Sequence, residues 1–298
     1  MMTLSSTGEV LTALRRGADV SLVAYTLPPG RILDALDAAA RRGAHVRVRL
    51  EGYVYKDDGA VGARNEVALA ALRAAGADAQ LVHPSAGGAE PVLHLKGLTV
   101  DGALFLDDRN WPDDGADTII RDDFAGDAAL VRDAAAGRED RATSSFSVRK
   151  RQSLALEARL IGEARAGDEV IVESESFGDR NPVYDALRVA AKRGAHVRVL
   201  VSARDASANA AEAGAIRKLH EAGAQIRVCD ADEKFAVVNG ARGWIGSANA
   251  TAAFEHPDQL DWGARIDDGG VIAHVAHAFE ERWARGDSTA SLLPRRRF

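Results

Sequence analysis

A histidine, a lysine and an aspartate stand at fixed intervals in His94-Leu95-Lys96-Gly97-Leu98-Thr99-Val100-Asp101, which reads H-x-K-x-x-x-x-D. The segment follows a turn-rich run from Pro84 to Pro91 and is itself apolar. Read as a strand, it puts His94, Lys96 and Leu98 on one face and Leu95, Gly97 and Thr99 on the other. An imidazole and an ammonium on one strand face make an anion site. The lysine holds a phosphate oxygen while the histidine aims a ring nitrogen at phosphorus. Asp101, near the end of the segment, is read as folding back to orient the imidazole, as a carboxylate does in base–orienter pairs. The plainer alternative makes His94 a half-buried strand residue and Lys96 a solvated one.

The elements that must position this pattern come as a repeat. Residues 39–50 read AARRGAHVRVRL and residues 190–201 read AAKRGAHVRVLV. Each is preceded by a helical pattern, Ile32 to Ala40 and Val183 to Ala191, and before that by an apolar strand, Val20 to Tyr25 and Glu169 to Ser174. Gly43 and Gly194 fall where a helix end favours a residue tolerant of positive φ. His45 and His196 recur with the scaffold and are therefore read as structural. Further helix ends at Leu72–Ala77 and Leu219–Ala224 lead into short strands, Gln80–Val82 and Gln225–Val228. Strand and helix in alternation call for parallel pairing with helices outside. Antiparallel hairpins follow, turning at Asp101-Gly102 and Asn239-Gly240. The join falls near Arg141 to Val148, before a helix from Arg151 to Ala166.

The second copy of the motif region, Asp232-Glu233-Lys234-Phe235-Ala236-Val237-Val238-Asn239, keeps the lysine as Lys234. Aspartate stands where histidine was, and asparagine where aspartate was. Downstream it has Gly246-Ser247-Ala248-Asn249, against Asp107-Asp108-Arg109-Asn110 in the first half. A small Gly-Ser turn offers a hydroxyl and backbone N–H groups to phosphate oxygens.

This duplicated pattern resembles the phospholipase D superfamily, in which two H-x-K-x-x-x-x-D copies, each followed by G-S-x-N, sit on two α/β halves. The resemblance runs from about Val20 to Trp283. It implies an α/β fold of two similar α/β/α halves with mixed sheets, residues 1–142 and 143–298, related by a pseudo-two-fold axis with the motifs meeting at a shared site. It also implies a phosphodiesterase, a hydrolase working through a phosphohistidine, in which the second histidine protonates the leaving alcohol and then activates water. Carried over residue by residue, His94 is the nucleophile, with Asp101 its orienter or neighbour. Lys96, Lys234, Asn110 and Asn249 clamp the phosphate, and Ser247 adds a donor. Asp232 occupies the second histidine's place and is at best a substitute acid. The resemblance implies no metal and no cofactor, the lysines making a divalent ion redundant. Two other readings stand beside it: a catalytically weak or inactive phosphate-binding pseudoenzyme, and a nuclease that pairs two chains.

Composition limits the partners. Apolar residues make up 46% and charged ones 28%, as in a globular protein able to bury a sizeable core. No apolar run reaches the length of a membrane span, and no signal peptide is seen, so a cytoplasmic location is the expectation. The single cysteine, Cys229, excludes an internal disulfide and is read as a small residue beside a strand. With a net charge of −6, the chain does not attract polyanions as a whole. An acidic run, Asp107, Asp108, Asp113, Asp114, Asp117, Asp122 and Asp123, is expected to be a solvated loop; where such a run borders the site it opposes long nucleic acids. The basic runs Arg149-Lys150-Arg151 and Arg295-Arg296-Arg297 are likewise read as solvated. The expected partner is a phospholipid head group or small phosphodiester, met by a monomer or homodimer. Substrate loops are placed at Tyr53–Ala63, where Tyr53 and Tyr55 either flank a pocket or, leaving a strand, serve as packing residues, at Val82–Pro91 and at Phe177–Pro182.

Overall fold

The computed structural model describes residues 2–52, 60–82, 92–112, 118–136, 138, 142–202, 210–251 and 259–288. Tyr53, Tyr55, the run Pro84 to Pro91, Asp113, Asp114, Asp117 and Arg295-Arg296-Arg297 lie outside the described residues. The chain divides into two compact units. The first comprises Met1–Thr143, Ser147–Arg149 and His256–Trp262; the second comprises Ser144–Phe146, Lys150–Glu255 and Gly263–Phe298.

In the first unit the chain runs β1 (Met2–Ser5), α1 (Thr7–Arg16), β2 (Asp19–Ala24), α2 (Arg31–Arg41), β3 (His45–Glu51), α3 (Ala60–Ala74) and β4 (Asp78–Val82). It continues through β5 (Lys96–Val100), β6 (Ala103–Asp107), β7 (Ile119–Asp122) and α4 (Ala125–Ala135). The sheet order is β1-β7-β6-β5-β2-β3-β4. Strands β2, β3 and β4 pair in parallel through the helical crossovers, while β5, β6, β7 and β1 are added antiparallel. Val46, Val48 and Leu50 of β3 point into a core with Leu14, Leu36 and Leu69 of α1, α2 and α3. The alternating residues Arg47 and Arg49 therefore take the opposite face.

The second unit repeats the pattern. It runs β8 (Phe146–Ser147), α5 (Lys150–Gly162), β9 (Glu169–Ser174), α6 (Pro182–Arg193), β10 (His196–Ser202), α7 (Ala210–Glu221) and β11 (Gln225–Cys229). Then come β12 (Phe235–Val238), β13 (Arg242–Gly246), β14 (Gly263–Ile266), α8 (Gly269–Arg285) and β15 (Asp287–Ser288). The sheet order is β15-β11-β10-β9-β12-β13-β14-β8, with β9, β10 and β11 parallel. Helix α6 shows why such segments are helical: Asn181 caps it by accepting from the Tyr184 N–H, and Pro182 takes the first turn. Gly43 and Gly194 close α2 and α6 at φ of 92° and 96°, as the sequence predicts.

Both hairpins turn where expected. Val100 pairs with Ala103 across Asp101-Gly102, which have φ of 48° and 92°; Val238 pairs with Arg242 across a turn that begins at Asn239-Gly240, at 54° and 59°. Aspartate and asparagine tolerate this left-handed region better than other side chains carrying Cβ.

Two surface expectations are corrected. Asp107, Asp108 and Asp122 are buried rather than solvated. Asp107 ends β6 and spends its carboxylate on the backbone N–H groups of Arg109 and Trp111. Asp122 ends β7 beside Asp127 of α4. Burial first, then the hydrogen bond and charge of Asp122, push the Asp127 carboxyl up to about 7. Lys150, read as part of a solvated run, is buried at the start of α5 and donates to Thr251 Oγ1 at 2.9 Å. His45 and His196 lie on the surface at the start of their strands. Cys229 is half-buried, and desolvation pushes its thiol up to about 11.

Candidate active site

In the first unit, the segment before β5 is held by main-chain bonds to Leu260. The His94 N–H donates to the Leu260 carbonyl at 2.8 Å, and the Leu260 N–H donates to that of Val92 at 2.9 Å. Trp262 is fully buried and anchors the same stretch by donating its indole N–H to the Asp107 carbonyl at 2.8 Å. The Leu93 N–H donates to the carboxylate of buried Glu51, at the end of β3, at 2.6 Å. These bonds fix the backbone on both sides of the histidine.

The side chain of His94 is 19% exposed, and its Nδ1 lies 2.6 Å from Oδ1 of Asp261, which is buried. A carboxylate only accepts, so Nδ1 carries the proton, and in the neutral ring the lone pair then falls on Nε2. The edge of Tyr25 meets the imidazole at 4.8 Å between ring centres, at 67°. Lys96, 1% exposed, donates from Nζ to the His94 carbonyl at 2.8 Å and lies 5.7 Å from the centre of the Tyr25 ring. Antiparallel pairing of β2 with β5 sets Ala24 opposite Lys96 and so brings Tyr25 to this end of the strand. Asn110 is half-buried; among the described residues its Oδ1 has no hydrogen-bond partner. Burial pushes the Asp107 carboxyl up, opposed by the N–H groups of Arg109 and Trp111 and by the charge of Lys96.

Asp101 does not orient His94. It sits at the far end of β5, where its Oδ1 accepts from the N–H groups of Ala18 and Asp19 at 3.0 and 2.9 Å. A strand rises about 3.3 Å per residue, so the two ends of the motif lie on the order of 20 Å apart. The same bond recurs in the second unit, where Asn239 Oδ1 accepts from the Glu169 N–H at 2.9 Å. The carboxylate of the motif is therefore a hairpin pin, and asparagine at 239 retains that work. The carboxylate at the histidine is Asp261, which the sequence reading missed.

In the second unit Lys234 repeats the lysine geometry. It is buried, donates from Nζ to the Asp232 carbonyl at 2.5 Å, and lies 3.2 Å from Oε2 of Glu175. Glu175 follows β9 as Tyr25 follows β2, so one copy of the lysine meets an aromatic face and the other an anion. Ser247 is buried, and Asn249 Oδ1 accepts from the Ser176 N–H at 3.3 Å. The Ala250 N–H donates to Ser174 Oγ at 3.0 Å, and the Ala250 carbonyl accepts from Asn181 Nδ2 at 2.8 Å, pinning the turn. Glu233, between Asp232 and Lys234, is ion-paired with Arg282 of α8, which also donates to Glu173 at 2.9 Å. Burial, more than the nearby Glu233, pushes the Glu173 carboxyl up to about 8 against the pull of Arg282.

Residues 158–283 match the family model described as cardiolipin synthase, PLD-like domain. The match, over 126 of the 298 residues, likens this part of the chain to the phospholipase D superfamily. The matched stretch contains Asp232, Lys234, Asn239 and Gly246-Ser247-Ala248-Asn249. Phosphatidylserine synthase from Haemophilus influenzae Rd KW20 aligns with a TM-score of 0.67 at 10% identity, covering 100% of this chain and 90% of that one. Polyphosphate kinase from Porphyromonas gingivalis aligns with a TM-score of 0.66 at 14% identity, over 95% of this chain. The chain spans about half, 47%, of that kinase's length. At these identities the likenesses show the fold, an α/β architecture with mixed sheets. No curated protein matches the sequence. Among the described residues, no helix is long and apolar enough to cross a membrane.

Proposed function

We propose that this chain is a phosphodiesterase of the phospholipase D superfamily whose nucleophile is Nε2 of His94. The observation that carries this reading is the 2.6 Å contact of His94 Nδ1 with Asp261, which leaves Nε2 as the nucleophilic nitrogen. Nε2 attacks phosphorus, the P–O bond to the leaving alcohol breaks, and a phosphohistidine forms. Water then attacks phosphorus, releasing a phosphomonoester and restoring the imidazole. Asp261 stabilises the positive charge that the ring gains in the first step. Lys96 and Asn110 are assigned to the non-bridging oxygens. Lys234, Ser247 and Asn249 are assigned to phosphate binding, and Asp232 to delivery of a proton to the leaving group. The substrate class is a phospholipid head group or small phosphodiester.

Asp232 favours a second reading, a phosphate-binding protein with little or no turnover, because a carboxylate stands where the superfamily motif has its second histidine. Hydrolysis of a nitrophenyl phosphodiester in the presence of a chelator separates the two. The expected result is turnover that survives chelation and is abolished in His94→Asn, with unchanged circular dichroism. A wild type that binds phosphate but hydrolyses nothing supports the second reading.

A further inference from the structure

The two units treat one face of their sheets differently. Arg47 and Arg49 of β3 correspond in the repeat to Arg198 and Leu200 of β10. In the second unit this face is filled. Arg198 lies 5.2 Å from the ring centre of Phe279 and 5.4 Å from that of Trp283, and both its Nη atoms donate to Glu280, at 3.0 and 2.6 Å. Phe279, Glu280 and Trp283 all come from α8, a helix of 17 residues, and Leu200 is fully buried. Charge and volume are both satisfied from within the fold.

In the first unit the corresponding helix, α4, is only 11 residues long and brings alanines and another arginine instead of aromatics. A cleft of about 330 Å³ remains, lined by Arg47, Arg49, Arg132 and Arg138. Its remaining walls are small or apolar: Ser21, Val23, Ala135 and Ala136. Three of the guanidiniums have a carboxylate partner each: Arg47 with Asp19 at 2.7 Å, Arg49 with Asp78 at 2.8 Å, and Arg138 with Asp133. Asp19 and Asp78 are more exposed than the arginines they pair with, so these charges lie toward the rim. Arg132 has no ion-pair partner among the described residues. Surface ion pairs of this kind are weak, so an anion entering the cleft can gain charge-assisted contacts from the paired arginines as well as from Arg132.

We propose that this cleft is a second anion site, distinct from the His94 motif, that takes a small phosphate-bearing molecule. A multivalent phosphate offers several oxygens in different directions, which suits guanidiniums reaching in from β3, from α4 and from the segment after it. The volume admits a group of about pyrophosphate size with little beyond it.

Titration calorimetry with inorganic pyrophosphate at low salt tests this on the full chain. The background is His94→Asn/Lys96→Ala/Lys234→Ala, which removes the histidine and both lysines assigned to phosphate at the motif. The expected result is saturable binding that persists there and weakens as salt is raised. Adding Arg132→Glu is expected to weaken it by more than about tenfold, the loss of one charge-assisted contact. Arg49→Leu, which copies Leu200 of the other repeat, is expected to act in the same direction. Arg132→Glu breaks no ion pair among the described residues, so it reads the site even if Arg49→Leu fails to fold. Absence of saturable binding in the motif-disrupted background, or binding unchanged by Arg132→Glu, would overturn the proposal. The readout is binding, so failure leaves the His94 reading untouched.

Discussion

His94 and Asp261 meet at 2.6 Å although 167 residues of chain separate them. The contact sets the tautomer of the imidazole and holds the ring against Tyr25, and it depends on residues 260–262 being hydrogen-bonded beside residues 92–94. A carboxylate so placed acts through the histidine and is a positioning residue.

Asp261→Asn keeps the shape but replaces a pure acceptor by an amide that stabilises either tautomer. The expected loss is on the order of 10²–10⁴-fold in kcat, with KM little changed. A loss confined to KM would show that Asp261 shapes binding rather than the nucleophile. Steady-state kinetics with a nitrophenyl phosphodiester separates the two.

Asp101 is expected to behave oppositely. Asp101→Asn should leave turnover and stability near wild type, because Asn239 fills the same turn in the other repeat. Asp101→Ala removes the acceptor for two N–H groups and places alanine at positive φ, at a cost of about 1–2 kcal/mol. Urea unfolding measures that cost, and kcat of the folded enzyme should not follow it. Loss of kcat in Asp101→Asn would return the residue to the catalytic machinery.

Asp232 should matter in proportion to the leaving group's need for a proton. A nitrophenolate departs unaided, whereas an alkoxide does not. Asp232→Asn is therefore expected to slow an alkyl phosphodiester about 10²-fold and a nitrophenyl one by no more than about twofold. Asp232→His is expected to raise turnover of the alkyl substrate. Equal losses on both substrates would make Asp232 structural.

The Asp122–Asp127 pair makes stability depend on pH. The folded Asp127 carboxyl titrates at about 7, above the unfolded value near 4, so the fold binds the extra proton between them. Its stabilising contribution is full below about pH 4 and lost as pH rises through about 7. Asp127→Asn, which can still donate to Asp122, is expected to raise the urea midpoint at pH 8 and to flatten its decline between pH 4 and 8. Parallel pH curves for variant and wild type would contradict this.

What was legible in the sequence was what is local. The repeat at residues 39–50 and 190–201 displayed parallel strands and crossover helices through periodicity, and Asp101-Gly102 and Asn239-Gly240 displayed the hairpins through residues suited to positive φ. Lys96 and Lys234 stood out by spacing. Asp261 did not, because nothing within Gln259-Leu260-Asp261-Trp262 marks a partner so far back in the chain. Asp101 was misread for the converse reason: closeness in sequence along a strand is distance in space. The aspartates at 107, 108 and 122 are of a residue type that favours the surface, yet those at 107 and 122 accept from backbone N–H groups that cap strand ends. Tyr25 and Glu175 went unremarked because their contacts arise from register between strands remote in sequence.

The most direct measurement is to trap the covalent intermediate. The full chain is mixed with a phosphodiester labelled at phosphorus, quenched in alkali within one turnover, and mapped by mass spectrometry. The expected result is a base-stable, acid-labile phosphoryl group on His94, absent in His94→Asn and formed more slowly in Asp261→Asn. Turnover by wild type without label at His94, or turnover persisting in His94→Asn, would contradict it.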